Sequence, residues 1–489
     1  MPTQYRNFDI DAFDYKEGTD GECFSVRVAD SPAGQQRIGS AEQVTIPAKL
    51  RDSLRKLENR KLGLGEMINV GEQLADLLLP ARARWMLDRS RATLDPGEGL
   101  RMRLRLDSYA LSDLPWEYLY IPEPDTPPDE RGPSGFLVLD PAVSLVRYEL
   151  IGQAAESLDP VGSDPLRLVA LLANPQDPDY PKLDLETERK NIEKAMAKVA
   201  GIEVQFYPGG RVSDLEEAVT TGAHILHFAG HGDFVGEMGA IFGTQEGKGG
   251  LVLVGEDGGA RLFPVEKLAV SLKRRDIRLA VFGACKTAQR DRYNAWTGVA
   301  PALTRAGIPA VVAMQYAIGD RNAIAFSQRF YSALASGTTI DAAVTDGRQS
   351  IFNRSDLDER DWGVPVLYLR TPGGVLFPKT EPESTIQRGG RAGARTRPQA
   401  EVMRTSAVDK RALRSVMISA FNTDELEALC WDAQGLMEEA GLGDVMVSLE
   451  MVGGGSKMAI VMNLIEHFDR RGQLEYLVQA VLNARPGLL

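Results

Sequence analysis

Between Leu166 and Leu369 the chain repeatedly gathers short apolar, β-branched runs and then relaxes into stretches with helical spacing. Leu168–Leu172, Ile202–Tyr207, His224–Phe228, Leu251–Val254, Ile277–Phe282, Ala310–Gln315 and Val366–Leu369 predict strands. Glu186–Val199, Val212–Thr221, Asn322–Ser336 and Ile340–Phe352 predict helices between them. Strands with so little polar relief are covered on both faces. The pattern therefore predicts an α/β fold, a mostly parallel sheet with helices on both sides, whose chemistry sits at the carboxyl ends of the strands.

The flanks read differently. Leu100, Met102, Leu104 and Leu106 alternate with Arg101, Arg103, Arg105 and Asp107, which predicts a strand with one wet face. Leu50–Leu94 reads as mainly helical and Phe136–Leu150 as strand-like, so residues 1–155 are expected to form an α+β accessory domain before the sheet domain at 156–378. Residues 379–405 carry Pro382, Gly389, Gly390, Gly393 and Pro398, with six basic and three acidic side chains and almost no large apolar ones, the composition of a flexible linker. Beyond it, Leu426 and Leu429, then Ile460, Leu464, Ile465 and Phe468, then Leu474, Leu477, Val478 and Val481 form helical stripes. Residues 406–489 are expected to be a small all-α bundle of net charge −5.

Composition narrows the function classes. With 43% apolar and 25% charged residues in 489, the chain is neither disordered nor collagen-like. Its 56 basic and 68 acidic side chains leave a net charge of −12, which argues against tracking nucleic-acid phosphates. Three widely spaced cysteines, Cys23, Cys285 and Cys430, write no disulfide framework and suit a reducing cytoplasm. Met1–Phe13 lacks an apolar signal core, and the longest nearly apolar stretch, Ala306–Ile318, is too short to span a membrane. Neither Gly247-Lys248 nor Gly453–Lys457 satisfies a phosphate-loop pattern.

Three of the four histidines crowd into His224-Ile-Leu-His227-Phe-Ala-Gly-His231-Gly232. On a strand, positions 224 and 227 face opposite ways, which argues against a shared metal; no metal or other cofactor is expected. His231 stands apart, just past the strand end and between two glycines that allow close backbone approach. Cys285 ends another strand 54 residues later, so both side chains are expected above one edge of the sheet. A thiol within reach of an imidazole can ionise at neutral pH and attack a carbonyl carbon. A histidine about 50 residues before the cysteine is also the caspase order.

These segments resemble the CHAT domain of the caspase-like cysteine peptidases. The matching pieces are Leu171–Pro175 with the Glu186 helix start, His227-Phe-Ala-Gly-His231-Gly232, Phe282-Gly-Ala-Cys285-Lys-Thr-Ala, Val311–Tyr316, the Phe330-Tyr331 helix and Trp362–Tyr368. Leu114-Pro-Trp-Glu117, followed by a strand ending in Arg147, looks like a segment that often precedes this domain. Phe421–Leu426 and His467–Leu474 resemble a bacterial effector-associated domain, a death-domain-like adaptor.

The resemblance implies a caspase-like fold and a His-Cys dyad in a cytoplasmic bacterial endopeptidase of a signalling or defence pathway. Cys285 would be the nucleophile, His231 the general base and acid, and the backbone N–H groups of Gly232 and Cys285 the oxyanion donors. Gln315 and Tyr316 are candidates for the first specificity pocket, with strand-end packing as their alternative role. Asp233 and Asp291 are candidates for facing a basic substrate side chain, with solvated loop positions as theirs. The substrate would be a protein, and an upstream sensor or adaptor would engage residues 406–489. A catalytically inactive scaffold is the competing function, and a zinc hydrolase the third.

Overall fold

The computed structural model describes residues 4–18, 21–148, 158, 165–180, 182–235, 248–272, 276–284, 296–371 and 373–378, and towards the C-terminus 413–414, 417, 421, 423–439, 457–470 and 473–485. Met1–Glu383 form one compact unit and Ser384–Leu489 another. The first unit opens with β1 (Gln4–Gly18), β2 (Gly21–Asp30), β3 (Glu42–Ile46), α1 (Ala48–Glu58), α2 (Leu64–Leu78), α3 (Ala81–Arg91), β4 (Glu98–Leu106), the single turn α4 (Tyr109–Ser112) and β5 (Val143–Arg147). It continues with β6 (Leu166–Leu172), α5 (Leu185–Met196), β7 (Ile202–Tyr207), α6 (Val212–Thr220), β8 (Ile225–Val235), β9 (Lys248–Val254), β10 (Ala260–Pro264), α7 (Val265–Leu272) and β11 (Leu279–Ala284). Then come α8 (Trp296–Ala306), β12 (Ala310–Met314), α9 (Asp320–Ala335), α10 (Ile340–Phe352) and β13 (Pro365–Leu369).

One sheet runs through all of these strands in the order β10-β9-β8-β11-β12-β13-β5-β4-β1-β2-β3, with β6 joining β8 to β7. Its centre is parallel: β7, β6, β8, β11 and β12 all run the same way. Alternation along each strand divides the interior. Ile225, Leu279, Val281 and Val312 pack with α5, α9 and α10. Leu226, Phe228, Ala280 and Phe282 pack with α6, α7 and α8 on the other face. This is the expected α/β architecture, a mostly parallel sheet with helices on both sides.

The expected division between residues 1–155 and 156–378 does not appear as a break in the sheet. β5 pairs with β13 through Arg147 and Tyr368, so accessory strands and central strands are continuous. Side chains tie the same seam. Arg147 and Glu117 are both buried, and Arg147 donates to Glu117 Oε2 at 2.8 Å and Oε1 at 3.2 Å, to the Leu114 carbonyl at 3.2 Å and to that of Ser112. Burial pulls the Arg147 pKa down, but the Glu117 carboxylate outweighs it and holds the guanidinium charged. The expected wet face of β4 is also partly covered. Arg101 is buried and reaches Asp341 on α10 at 2.6 Å, whereas Arg103 and Arg105 pair with Asp9 and Asp11 on the neighbouring β1.

The second unit contains α11 (Thr423–Glu439), α12 (Lys457–Arg470) and α13 (Leu474–Ala484). Its own interior includes Leu426, Leu429, Leu464, Phe468, Leu477 and Val481 from the three predicted stripes, together with Cys430. The expected linker, 379–405, lies outside the described residues. Among the described residues no helix is long and apolar enough to cross a membrane.

Two outcomes follow for stability. Glu117→Ala strands a buried guanidinium and should lower the unfolding free energy by about 3–5 kcal/mol in urea denaturation; adding Arg147→Met should recover part of that loss. Residues 406–489 expressed alone should give a helical circular-dichroism spectrum with a cooperative melt, because their apolar stripes meet one another.

Candidate active site

The site is set by two strands in parallel register; β11 ends at Ala284, whereas β8 runs on to Val235, so His231 lies within its strand rather than just past the strand end as the sequence suggests. β8 and β11 are parallel, with Leu279 opposite Ile225 and so on up to Ala284 opposite Gly230. The next residue on β8 is His231, which is buried. Cys285, the next residue after β11, lies outside the described residues, as does Asp291. Gly230 permits this crowding: a Cβ there would stand 2.5 Å from the Phe228 ring and 3.2 Å from the Ala173 carbonyl.

Beyond Gly230 the strand changes partners. His231–Val235 pair antiparallel with β9, His231 opposite Val252, Gly232 opposite Leu251 and Asp233 opposite Gly250. The β9–β10 hairpin is fastened to the β6–β7 end of the sheet, where Val254 N–H donates to the Gly210 carbonyl and Gln176 N–H to that of Gly258. The hairpin thus takes the β6 side of His231, leaving the side on which β11 arrives.

The other two histidines separate as strand alternation requires. His224 Nδ1 accepts the Arg167 backbone N–H at 2.9 Å at the start of β8. His227 points to the face of α5 and α9, with Nδ1 3.0 Å from the Tyr331 hydroxyl and Nε2 3.9 Å from Glu188 Oε1. The second distance is too long for a hydrogen bond, and burial depresses the His227 pKa to about 4, so the imidazole is neutral at pH 7. Glu188 sits in the first turn of α5, which Asp184 caps by accepting the Thr187 N–H at 3.0 Å. Burial first, and the nearby Asp320 second, raise the Glu188 pKa. Its carboxylate also lies 3.9 Å from the Cβ position of Gly283, two residues before Cys285. Among the described residues no three His, Cys, Asp or Glu side chains gather closely enough to hold a metal ion.

The remaining expected residues divide. Asp233 lies at the His231 end of β8 and accepts the hydroxyl of Tyr180, whose ring stands 5.4 Å from the His231 imidazole. Gln315 is buried at the end of β12: its amide donates to the Asp113 carbonyl at 2.7 Å and accepts from Arg147 at 3.4 Å. Tyr316 is half-buried with the Arg360 guanidinium 4.8 Å above its ring, and burial, then Asp113, raise its pKa. Tyr180 and Glu188 are not among the residues the sequence points to, and Tyr331 enters there only as part of a matching helix, with no role. The signals available were Asp177-Pro-Asp-Tyr180, a turn just past the carboxyl end of a central strand, and the position of Glu188 near a helix start.

A model of the CHAT domain matches residues 69–382. Among solved structures, the Saccharomyces cerevisiae separase–securin complex at 2.6 Å aligns over 74% of this chain and 30% of its own, at 12% identity and a TM-score of 0.38. The same complex at 3.0 Å aligns over 59% and 16%, at 15% identity and a TM-score of 0.31. The complex of Porphyromonas gingivalis RgpB pro- and mature domains aligns over 68% and 78%, at 12% identity and a TM-score of 0.36. This chain thus spans less than a third of either separase chain. Among curated proteins there is no sequence match.

Stability should carry the mark of His227. Its pKa is about 4 folded and 6.5 in the ordinary state, so between those values the unfolded chain holds the extra proton. Stability therefore falls as pH drops through that window, by about 3 kcal/mol in all. The raised Glu188 works in the opposite sense over its own range. His227→Gln should flatten the decline in urea midpoint between about pH 7 and about pH 5 relative to wild type. An unchanged decline would assign it to other groups.

Proposed function

The chain belongs to the CHAT-domain family, and from that premise we propose that it is a cysteine endopeptidase working through His231 and Cys285. The observation that carries this reading is the common register of β8 and β11, in which Ala284 stands opposite Gly230 and each reactive residue follows immediately. In a parallel pair, residues in register project to the same face. His231 takes the proton from the Cys285 thiol, and the thiolate attacks the scissile carbonyl carbon to form a tetrahedral oxyanion. The backbone N–H groups of Gly232 and Cys285 receive that oxyanion. Collapse breaks the C–N bond, and the leaving amine departs with the proton from His231. Water, deprotonated by His231, then attacks the thioester; release of the acid returns the proton to the sulfur.

The other two cysteines are poor rivals. Cys430 is buried in the helical unit, and burial, aided by Glu427, pushes its pKa up to about 12. Cys23 lies on β2, far along the sheet from β8. Residues 406–489, with their own interior and net charge of −5, serve in this proposal as the adaptor that recruits the enzyme to a basic-faced partner in a cytoplasmic bacterial signalling or defence pathway.

Cys285→Ala and His231→Ala should each reduce cleavage of a peptide library by at least about 10³-fold with unchanged circular dichroism. Cys23→Ala and Cys430→Ala should cleave as wild type. A Cys285→Ala chain that cleaves at the wild-type rate would end the proposal; wild-type protein that cleaves nothing, even with a partner bound, would favour the scaffold.

A further inference from the structure

The segment after β6 doubles back over the end of β8. Asn174 closes it at both edges, its Nδ2 donating to the Leu183 carbonyl at 2.9 Å and its Oδ1 accepting the Leu183 N–H at 3.1 Å. Inside this enclosure Tyr180 N–H donates to the Asp177 carbonyl at 3.1 Å, and the Asp177 carboxylate accepts the Asp179 N–H at 2.8 Å. Backbone and side chain thus agree on one turn, and Tyr180 is its outcome. The phenol lies along the edge of β8: its ring is 5.4 Å from the His231 ring at 47°, and its hydroxyl donates to Asp233. Residues 231 and 233 share one side of the strand, roughly 7 Å apart along it, a span that one tyrosine can bridge.

We propose that Tyr180 is a positioning residue for His231, with Asp233 as its anchor. An imidazole that passes a proton between a sulfur and a leaving amine must hold its ring plane, since a misplacement of about 1 Å costs on the order of 10²-fold in rate. The ring contact restrains one face of the imidazole. The bond to a carboxylate, stronger than one between neutral groups, keeps the tyrosine from turning away. In this proposal Asp233 serves as the anchor of Tyr180 rather than as the seat of a basic substrate side chain. The kinetic part of this assignment rests on the peptidase reading, whereas the coupling of Tyr180 to His231 does not.

The full-length chain tests both parts. Tyr180→Phe keeps the ring and removes the tether; Asp233→Ala removes the anchor. On a fluorogenic peptide library each should lower kcat about tenfold with little change in KM, and the double variant should be no slower than either single one. Asp233→Asn, which still offers an oxygen to the hydroxyl, should fall between wild type and Asp233→Ala. If Asp233→Ala instead raises KM selectively for peptides with Arg or Lys before the scissile bond, and the two effects multiply, the assignment is overturned. Turnover is not needed for the second readout, the His231 resonance of chains labelled at histidine, of which there are four. Tyr180→Phe should raise the His231 pKa, because the carboxylate loses its donor and acts more strongly on the imidazole; Asp233→Asn should lower it. A resonance that ignores both substitutions overturns the proposal. A resonance that moves in a chain with no peptidase activity would leave the Tyr180 coupling standing and remove the peptidase reading.

Discussion

The register between β8 and β11 is the constraint from which the candidate site follows. A slip of one residue would turn Leu226 and Phe228 away from the α6, α7 and α8 core and drive His227 into it. Gly230 enforces the same alignment from the backbone, since the Phe228 ring and the Ala173 carbonyl occupy the space that any larger residue would need. Packing two residues before Gly230 therefore decides where His231 stands. The change of partner at that point, from parallel β6 to antiparallel β9, gives the histidine a second fixed neighbour.

The wider sheet serves the same end. β13 connects the parallel centre to β5, and Arg147 at that seam holds Glu117, the carbonyls of Ser112 and Leu114, and the amide of Gln315 at the end of β12. Burying a guanidinium and a carboxylate together sacrifices hydration for both, so such a pair adds little net stability over a well-packed apolar one. What it does is penalise any arrangement that separates the two. Leu114-Pro-Trp-Glu117 thus acts on the end of β12 although the two are about two hundred residues apart in the chain. Gln315, read from the sequence as a pocket residue or a packed strand end, is part of that seam.

Much of the architecture was legible. The central strands and the helices α5, α6, α9 and α10 follow the apolar runs and the helical spacing closely, as does the alternation in β4. The less legible elements are those whose burial comes from distant partners. β1 is long and carries many polar residues; its core positions Phe8 and Ile10 have meaning only opposite Met102 and Leu104 of β4. The strand predicted at Leu251–Val254 starts earlier, at Lys248, because β8 extends past the parallel sheet to pair with it. Arg101, alternating with leucines like its neighbours Arg103 and Arg105, differs from them only because α10 brings Asp341 to it.

The sequence by itself determined the alternating elements, their faces, and the order of His231 and Cys285, because these depend on local periodicity and on composition. The tertiary structure decided which strand ends meet, which carboxylates are engaged and which aromatic ring reaches His231. Tyr180 shows the difference: fifty-one residues separate it from His231 in the chain. Only the parallel pairing of β6 with β8, which sets both strand ends at one edge, places its ring beside the imidazole. Such contacts arise from non-local strand pairing, which no pattern within a short window of residues encodes.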